Sequence, residues 1–222
     1  ELIKIAKCSK VILAVGHIER YNPAVIELKK LITEGKLGTI TSIVAKRVGM
    51  LPPQIKDTNV ILDLGIHDID VINFLLESEP TEVVATAGRA LLNDRYDHSE
   101  VFLKYGKVGC FVQANWITPV KIRTLAVTGS QAYAELNYIT QELRLFEINL
   151  ERTYTNFRDF VVKFGEPRSV KIPVTVKEPL RCEIECFLKA VQGEDAPLVT
   201  GEEALKSLNI VEKVLRKLEG QG

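Results

Sequence analysis

The chain opens on an amphipathic pattern. In "ELIKIAKCSK" apolar residues recur at helical spacing, and "VILAVG" follows as a short apolar run. The pattern predicts a helix and then a short buried strand ending at Gly16. That order is the rear half of a βαβ layer. Residues 1–22 are therefore expected to be the tail of a truncated Rossmann domain. Asn22 then suits an N-cap and Pro23 the first helical position. Ala24, Val25, Leu28, Leu31 and Ile32 make an apolar stripe, and Gly35 closes the helix. "TITSIVAKRVG", 39–49, alternates as a strand, and "MLPPQIKDTN" reads as a loop.

"ILDLGIHDID", 61–70, lies in a helix of about 16–20 residues, capped near Thr58 or Asn59. After Pro80 the pattern changes. Segments such as "EVVATAGRAL", "HSEVFLKY", "GKVGCFVQANWI" and "ELRLFEIN" are rich in β-formers and separated by turn residues. With no helices between them they predict an antiparallel sheet, to which "VKIPVTV" adds a strand. Two helices end the chain, the second capped by Thr200 with Glu203 as its capping box. The expected fold is α+β: a mostly antiparallel open sheet with helices on one face, filling residues 23–222. An apolar sheet face left bare is costly in water, so a homodimer or homotetramer through that face is expected.

Composition narrows the function. Lys plus Arg and Asp plus Glu both number 29, so bulk charge points to neither nucleic acid nor an anionic membrane. No apolar run is long enough to span a bilayer. The four cysteines form no spaced framework and read as reduced thiols of a cytoplasmic protein. Cys182 and Cys186 lie one helical turn apart, but no second Cys/His pair at a usable spacing completes a zinc site.

The chemistry concentrates in 61–70. On a helix, Asp63, His67 and Asp70 fall at i, i+4 and i+7 and share one face. This narrow polar stripe on an apolar helix suits the wall of a cleft. Gly65 costs the helix about 1 kcal/mol relative to alanine, which close approach of a ligand or backbone would justify. Three readings fit the spacing: a structural Asp63–His67 hydrogen bond, a metal site, or acid–base work by His67, whose ordinary pKa suits proton transfer. Spacing alone does not choose among them.

Six stretches occur in order along nearly the whole chain: "VGHIERYNPAV", "GKLGTITSI", "DLGIHDIDVINFLL", "WITPVKIRTLAVTGSQAYAELNY", "EPLRCEIECFLKAV" and "PLVTGEEALKSL". This set resembles the C-terminal part of the glucose–fructose oxidoreductase / inositol 2-dehydrogenase (Gfo/Idh/MocA) family of NAD(P)-dependent sugar oxidoreductases. The resemblance implies a glyceraldehyde-3-phosphate-dehydrogenase-like C-terminal domain. It implies NAD or NADP, bound mainly by an N-terminal Rossmann domain with a glycine-rich turn and a Glu-Lys-Pro stretch. Neither occurs in residues 1–222, so this chain alone is expected to be inactive.

By resemblance, His67 is the general base that takes the sugar hydroxyl proton, and Asp63 holds the substrate and tunes that proton. Asp70 supports substrate binding. Arg20 and Asn22 approach the nicotinamide end of the cofactor. Arg47 is a candidate for a substrate anion such as a nucleotide-sugar phosphate. The motifs most resemble members that oxidise the 3-hydroxyl of nucleotide-linked amino sugars, with inositol or free sugars as the alternative. A non-catalytic dimerisation module of the same fold is the competing class. A metal-dependent hydrolase would need ligands beyond Asp63, and only His17 and His98 remain.

Overall fold

The computed structural model describes residues 1–148, 150–154, 160–164 and 167–220. Helix α1 (Leu2–Ser9) is followed by a single β-bridge, Ala14 to Thr200, where the sequence predicts a strand. Val11 and Ile12 are exposed rather than buried. A strand needs a neighbouring backbone, and among the described residues the pairing of this segment with another stretch of chain is that bridge and the bond from Val15 N–H to the Val199 carbonyl. A 3₁₀ turn (Ile18–Tyr21) leads into α2 (Pro23–Thr33), where Asn22 Oδ1 accepts from Ala24 N–H as an N-cap. Gly35 lies past the end of α2 with φ +72°, in the left-handed region.

Eight strands form one open sheet: β1 (Ile40–Met50), β2 (Glu82–Gly88), β3 (His98–Tyr105), β4 (Val108–Asn115), β5 (Ile117–Gly129), β6 (Ala132–Asn137), β7 (Glu142–Glu147) and, later in the chain, β10 (Arg168–Ile172). Their order is β10-β7-β6-β5-β1-β4-β3-β2. Only β1 and β4 run parallel; every other neighbouring pair is antiparallel. Two differences from expectation follow. Strands β8 (Leu150–Tyr154) and β9 (Phe160–Phe164) pair only with each other, outside the large sheet. The strand in "VKIPVTV" stops at Ile172, because Pro173 has no N–H to donate to the ladder.

One face of the sheet carries Ile43, Ala45, Val101, Leu103, Val112, Leu125 and Val127, all buried. Helices α2, α3 (Ile66–Leu76) and α5 (Gly201–Glu219) cover it. Helix α4 (Pro179–Val191) packs against the 3₁₀ turn instead and buries none of its residues. The capping box on α5 forms as expected, with Thr200 Oγ1 accepting from Glu203 N–H and Glu203 Oε2 accepting from Thr200 N–H. At the end of β5 a side chain on Gly129 would meet the Leu37 carbonyl oxygen at 2.0 Å, so only glycine lets the α2–β1 loop close on the sheet. No helix among the described residues is long and apolar enough to cross a membrane.

Candidate active site

The helix bearing "ILDLGIHDID" does not start as an α-helix. Asn59 Oδ1 caps it, accepting from the N–H groups of Ile61 and Leu62. Ile61–Gly65 then forms a π-helical turn before α3 begins. In a π-turn the hydrogen bonds run i to i+5, and such turns concentrate at functional sites. The wider turn breaks the simple i, i+4 alignment of Asp63 with His67. Asp63 instead accepts from the indole Nε1 of buried Trp116 at 3.2 Å. The Asp63–His67 hydrogen bond, one of the three readings the spacing left open, is therefore not formed. His67 Nδ1 is sealed from solvent and has no hydrogen-bond partner.

Two guanidinium forks grip α3 on either side of His67. Arg47, on β1, donates from Nε and Nη2 to Asp68 at 2.8 and 3.1 Å and from Nη1 to Glu19 at 2.8 Å. Its cation lies 4.7 Å from the centre of the Tyr138 ring. Arg47 is 1% exposed, so its charge is spent on two carboxylates and is not presented to a substrate anion, contrary to expectation. Burial alone would lower its pKa, but Asp68 and Glu19 more than offset that and hold it above the ordinary value. Asp68 lies off the predicted polar stripe, and sequence reasoning missed it.

The second fork is Arg20, which donates from Nε and Nη2 to Asp70 at 2.7 and 2.8 Å and from Nη1 to Glu203 at 2.8 Å. Asp70 also accepts from Ser207 Oγ, which in turn accepts from Asn73 Nδ2, while Asn73 Oδ1 accepts from Tyr105. Asp70 thus braces α3 against α5 and the 3₁₀ turn, and at 1% exposure it reaches no substrate. Asn22, also 1% exposed, spends its amide on Glu19 and the Tyr138 carbonyl. Asn22 thus has no polar group free for a nicotinamide, and the charge of Arg20 is already paired with Asp70 and Glu203.

His17 is the site neighbour that sequence reasoning left unplaced. It sits 6% exposed with its ring edge-on to His67, centroids 6.3 Å apart and planes at 84°. Its Nδ1 is 3.8 Å from Asp70, too far for a hydrogen bond, and likewise has no partner. Burial, then Arg47, pushes His67 down to about 4 against the raising effect of Asp68, with His17 and Arg123 lowering it further. Burial also lowers His17. At neutral pH both rings are therefore uncharged, each with a lone pair to offer. Among the described residues no group of three or more His, Cys, Asp or Glu side chains is spaced to hold a metal ion.

The comparisons with known proteins agree on one family. The GFO/IDH/MocA C-terminal domain matches residues 25–135. The chain is 27% identical over 192 residues to the UDP-N-acetylglucosamine 3-dehydrogenase of Acidithiobacillus ferrooxidans, covering 86% of the chain and 57% of that protein. It is 29% identical over 234 residues to the inositol 2-dehydrogenase of Rhizobium meliloti, covering 97% and 66%. The crystal structure of the Acidithiobacillus enzyme superimposes with a TM-score of 0.80 at 23% identity, over 99% of the chain and 65% of its own. The chain thus spans a little over half to about two thirds of these relatives' length. It belongs to the GFO/IDH/MocA family and carries that family's C-terminal domain.

Proposed function

We propose that the chain is the substrate half of an NAD(P)-dependent sugar oxidoreductase, with His67 as the base that takes the proton of a sugar hydroxyl. The observation that carries this reading is His67 itself: half-buried, uncharged, braced by two ion-paired forks and without a partner at Nδ1. A neutral imidazole can accept a proton, and the forks hold it still. Asp63, tethered to Trp116 through Oδ2, keeps Oδ1 for a second sugar hydroxyl. A bound nicotinamide would supply the hydride acceptor. Residues 1–222 form no glycine-rich phosphate turn, since Gly16 is the first glycine and Gly35 the next. They fit the sugar side of the reaction. We assign NAD or NADP mainly to a Rossmann domain of which residues 1–22 are the tail, a division supported by the greater length of the relatives. The UDP-N-acetylglucosamine and inositol dehydrogenases among those relatives support a nucleotide-linked or free sugar as substrate.

The test is the pH dependence of kcat/KM in the full-length protein. Since the free-enzyme pKa of His67 is held down to about 4, its neutral form persists into acid. Activity should survive below pH 6.5 and fall only as pH drops through about 4. An acid limb at 6.5 or above would overturn the assignment of His67 as a base in this environment.

The bare sheet face supports self-association. Val84, Phe102, Phe111 and Val44 are 37–49% exposed, and register places them side by side across β2, β3, β4 and β1. Four adjacent apolar side chains on an uncovered sheet make a docking face for a second copy. Sedimentation at tens of micromolar should show a dimer or tetramer; a strictly monomeric species would overturn this. The four cysteines are all free thiols, which supports a cytoplasmic setting.

A further inference from the structure

Strands β1 and β5 are antiparallel, and their register sets Arg47 directly opposite Arg123. Like charges directly opposite each other destabilise a sheet. Arg47 is neutralised by Asp68 and Glu19, whereas Arg123 has no ion pair or side-chain hydrogen bond among the described residues. Arg123 is half-buried on the helix-covered face, at alternate positions with Leu125 and Val127. The charged groups near it are Arg47, Glu19, Asp68 and Asp63, and the last is held by Trp116. Burial, followed by Arg47, lowers its pKa.

Beyond this pair the strands slip. Val48 faces Ile122 but Met50 faces Ile117, so residues 118–121 bulge from β5. Bulges re-aim side chains and recur beside active sites. The exposed Lys121 closes the bulge, and its stem runs over bare backbone: a side chain on Gly49 would meet Lys121 Cγ at 3.9 Å. Two cations without an ion pair among the described residues thus lie at this end of β5, and Arg123 is close enough to His67 to lower its pKa. A fold that holds a half-buried arginine unpaired and opposite another arginine gives up stability there, as binding sites do.

We propose that Arg123, assisted by Lys121, binds an oxyanion carried by the substrate, and that this oxyanion is a phosphate of a nucleotide-linked sugar. The proposal deepens, and rests on, the sugar-oxidoreductase reading. A guanidinium matches phosphate or carboxylate in a two-pronged fork, so a sugar uronate is the other source of the same chemistry.

The experiment is calorimetric titration of the full-length protein and its Arg123→Gln variant with UDP-N-acetylglucosamine, glucuronate and inositol. Arg123→Gln should weaken UDP-N-acetylglucosamine binding about 10–100-fold and leave inositol unchanged. Arg123→Lys should recover part of the loss, keeping charge without the fork. The melting temperature of Arg123→Gln should hold or rise, because repulsion from Arg47 is relieved. Unaltered nucleotide-sugar binding, or a lowered melting temperature alone, marks a structural arginine and overturns the proposal. A loss confined to glucuronate replaces phosphate by carboxylate and overturns it as stated. Absence of dehydrogenase turnover in a protein that shows the binding result would sink the sugar-oxidoreductase reading and leave the anion site standing.

Discussion

Alanine in place of His67 should lower kcat of the full-length protein about 10²–10⁴-fold, the usual worth of a general base. The fold should survive. His67 Nδ1 donates to and accepts from no group, so truncation breaks no hydrogen bond there. Alanine is also the best helix former, and the substitution lies in the first turn of α3. The melting temperature should therefore shift by no more than about 2–4 °C, the equivalent of about 1 kcal/mol in a chain of this size. Asp63→Asn separates the roles further. Its carboxylate is bound to Trp116 and is not among the groups that move the pKa of His67. The acid limb of the pH profile should stay in place in Asp63→Asn, and any loss should come from the lost sugar contact. Near-normal turnover in His67→Ala, with or without a lower melting temperature, would remove His67 from the chemistry.

Much of the fold was legible because its signals are local. Asn22-Pro23, Thr200 with Glu203, and the alternation in Ile40–Met50 each encode an element within a few residues, and each forms. What failed was decided by partners far along the chain. "VILAVG" has the composition of a strand, but strand formation depends on a neighbour that composition does not encode. Arg47 reads as a rim arginine until Asp68, 21 residues on, and Glu19, 28 residues back, close around it. The π-turn at Ile61–Gly65 has no strong sequence signature beyond Gly65, yet it redirects Asp63 from His67 to Trp116, 53 residues away. The meeting of His17 with His67 depends on the Arg20–Asp70 fork that draws the 3₁₀ turn onto α3. The motif's residues do share one continuous helical segment, while their partners came from tertiary packing.

Asp68→Ala should be the most destabilising single change at the site. Asp68 is fully buried and satisfies two of the three guanidinium contacts of a buried Arg47. Removing one partner of a buried pair leaves the other charge uncompensated, at a cost of about 3–5 kcal/mol. Against a total of about 5–15 kcal/mol, that is from about a fifth to the whole of the protein's stability. The full triad behaves differently. A triple variant, Glu19→Met with Arg47→Met and Asp68→Leu, replaces all three charges by apolar groups that need no pairing and should recover most of the stability. That variant also asks whether the triad tunes His67. After burial, Arg47 is the largest influence lowering the pKa of His67, and Asp68 acts in the opposite direction with smaller effect. Burial, the largest cause, remains in this variant and the loss of Asp68 partly cancels that of Arg47, so the pKa should rise only modestly above about 4, moving the acid limb of kcat/KM upward by the same amount. Denaturant unfolding and a pH–rate profile on the same triple variant measure the two roles separately. Recovered stability with an unmoved acid limb would reduce the Arg47 fork to a structural clamp.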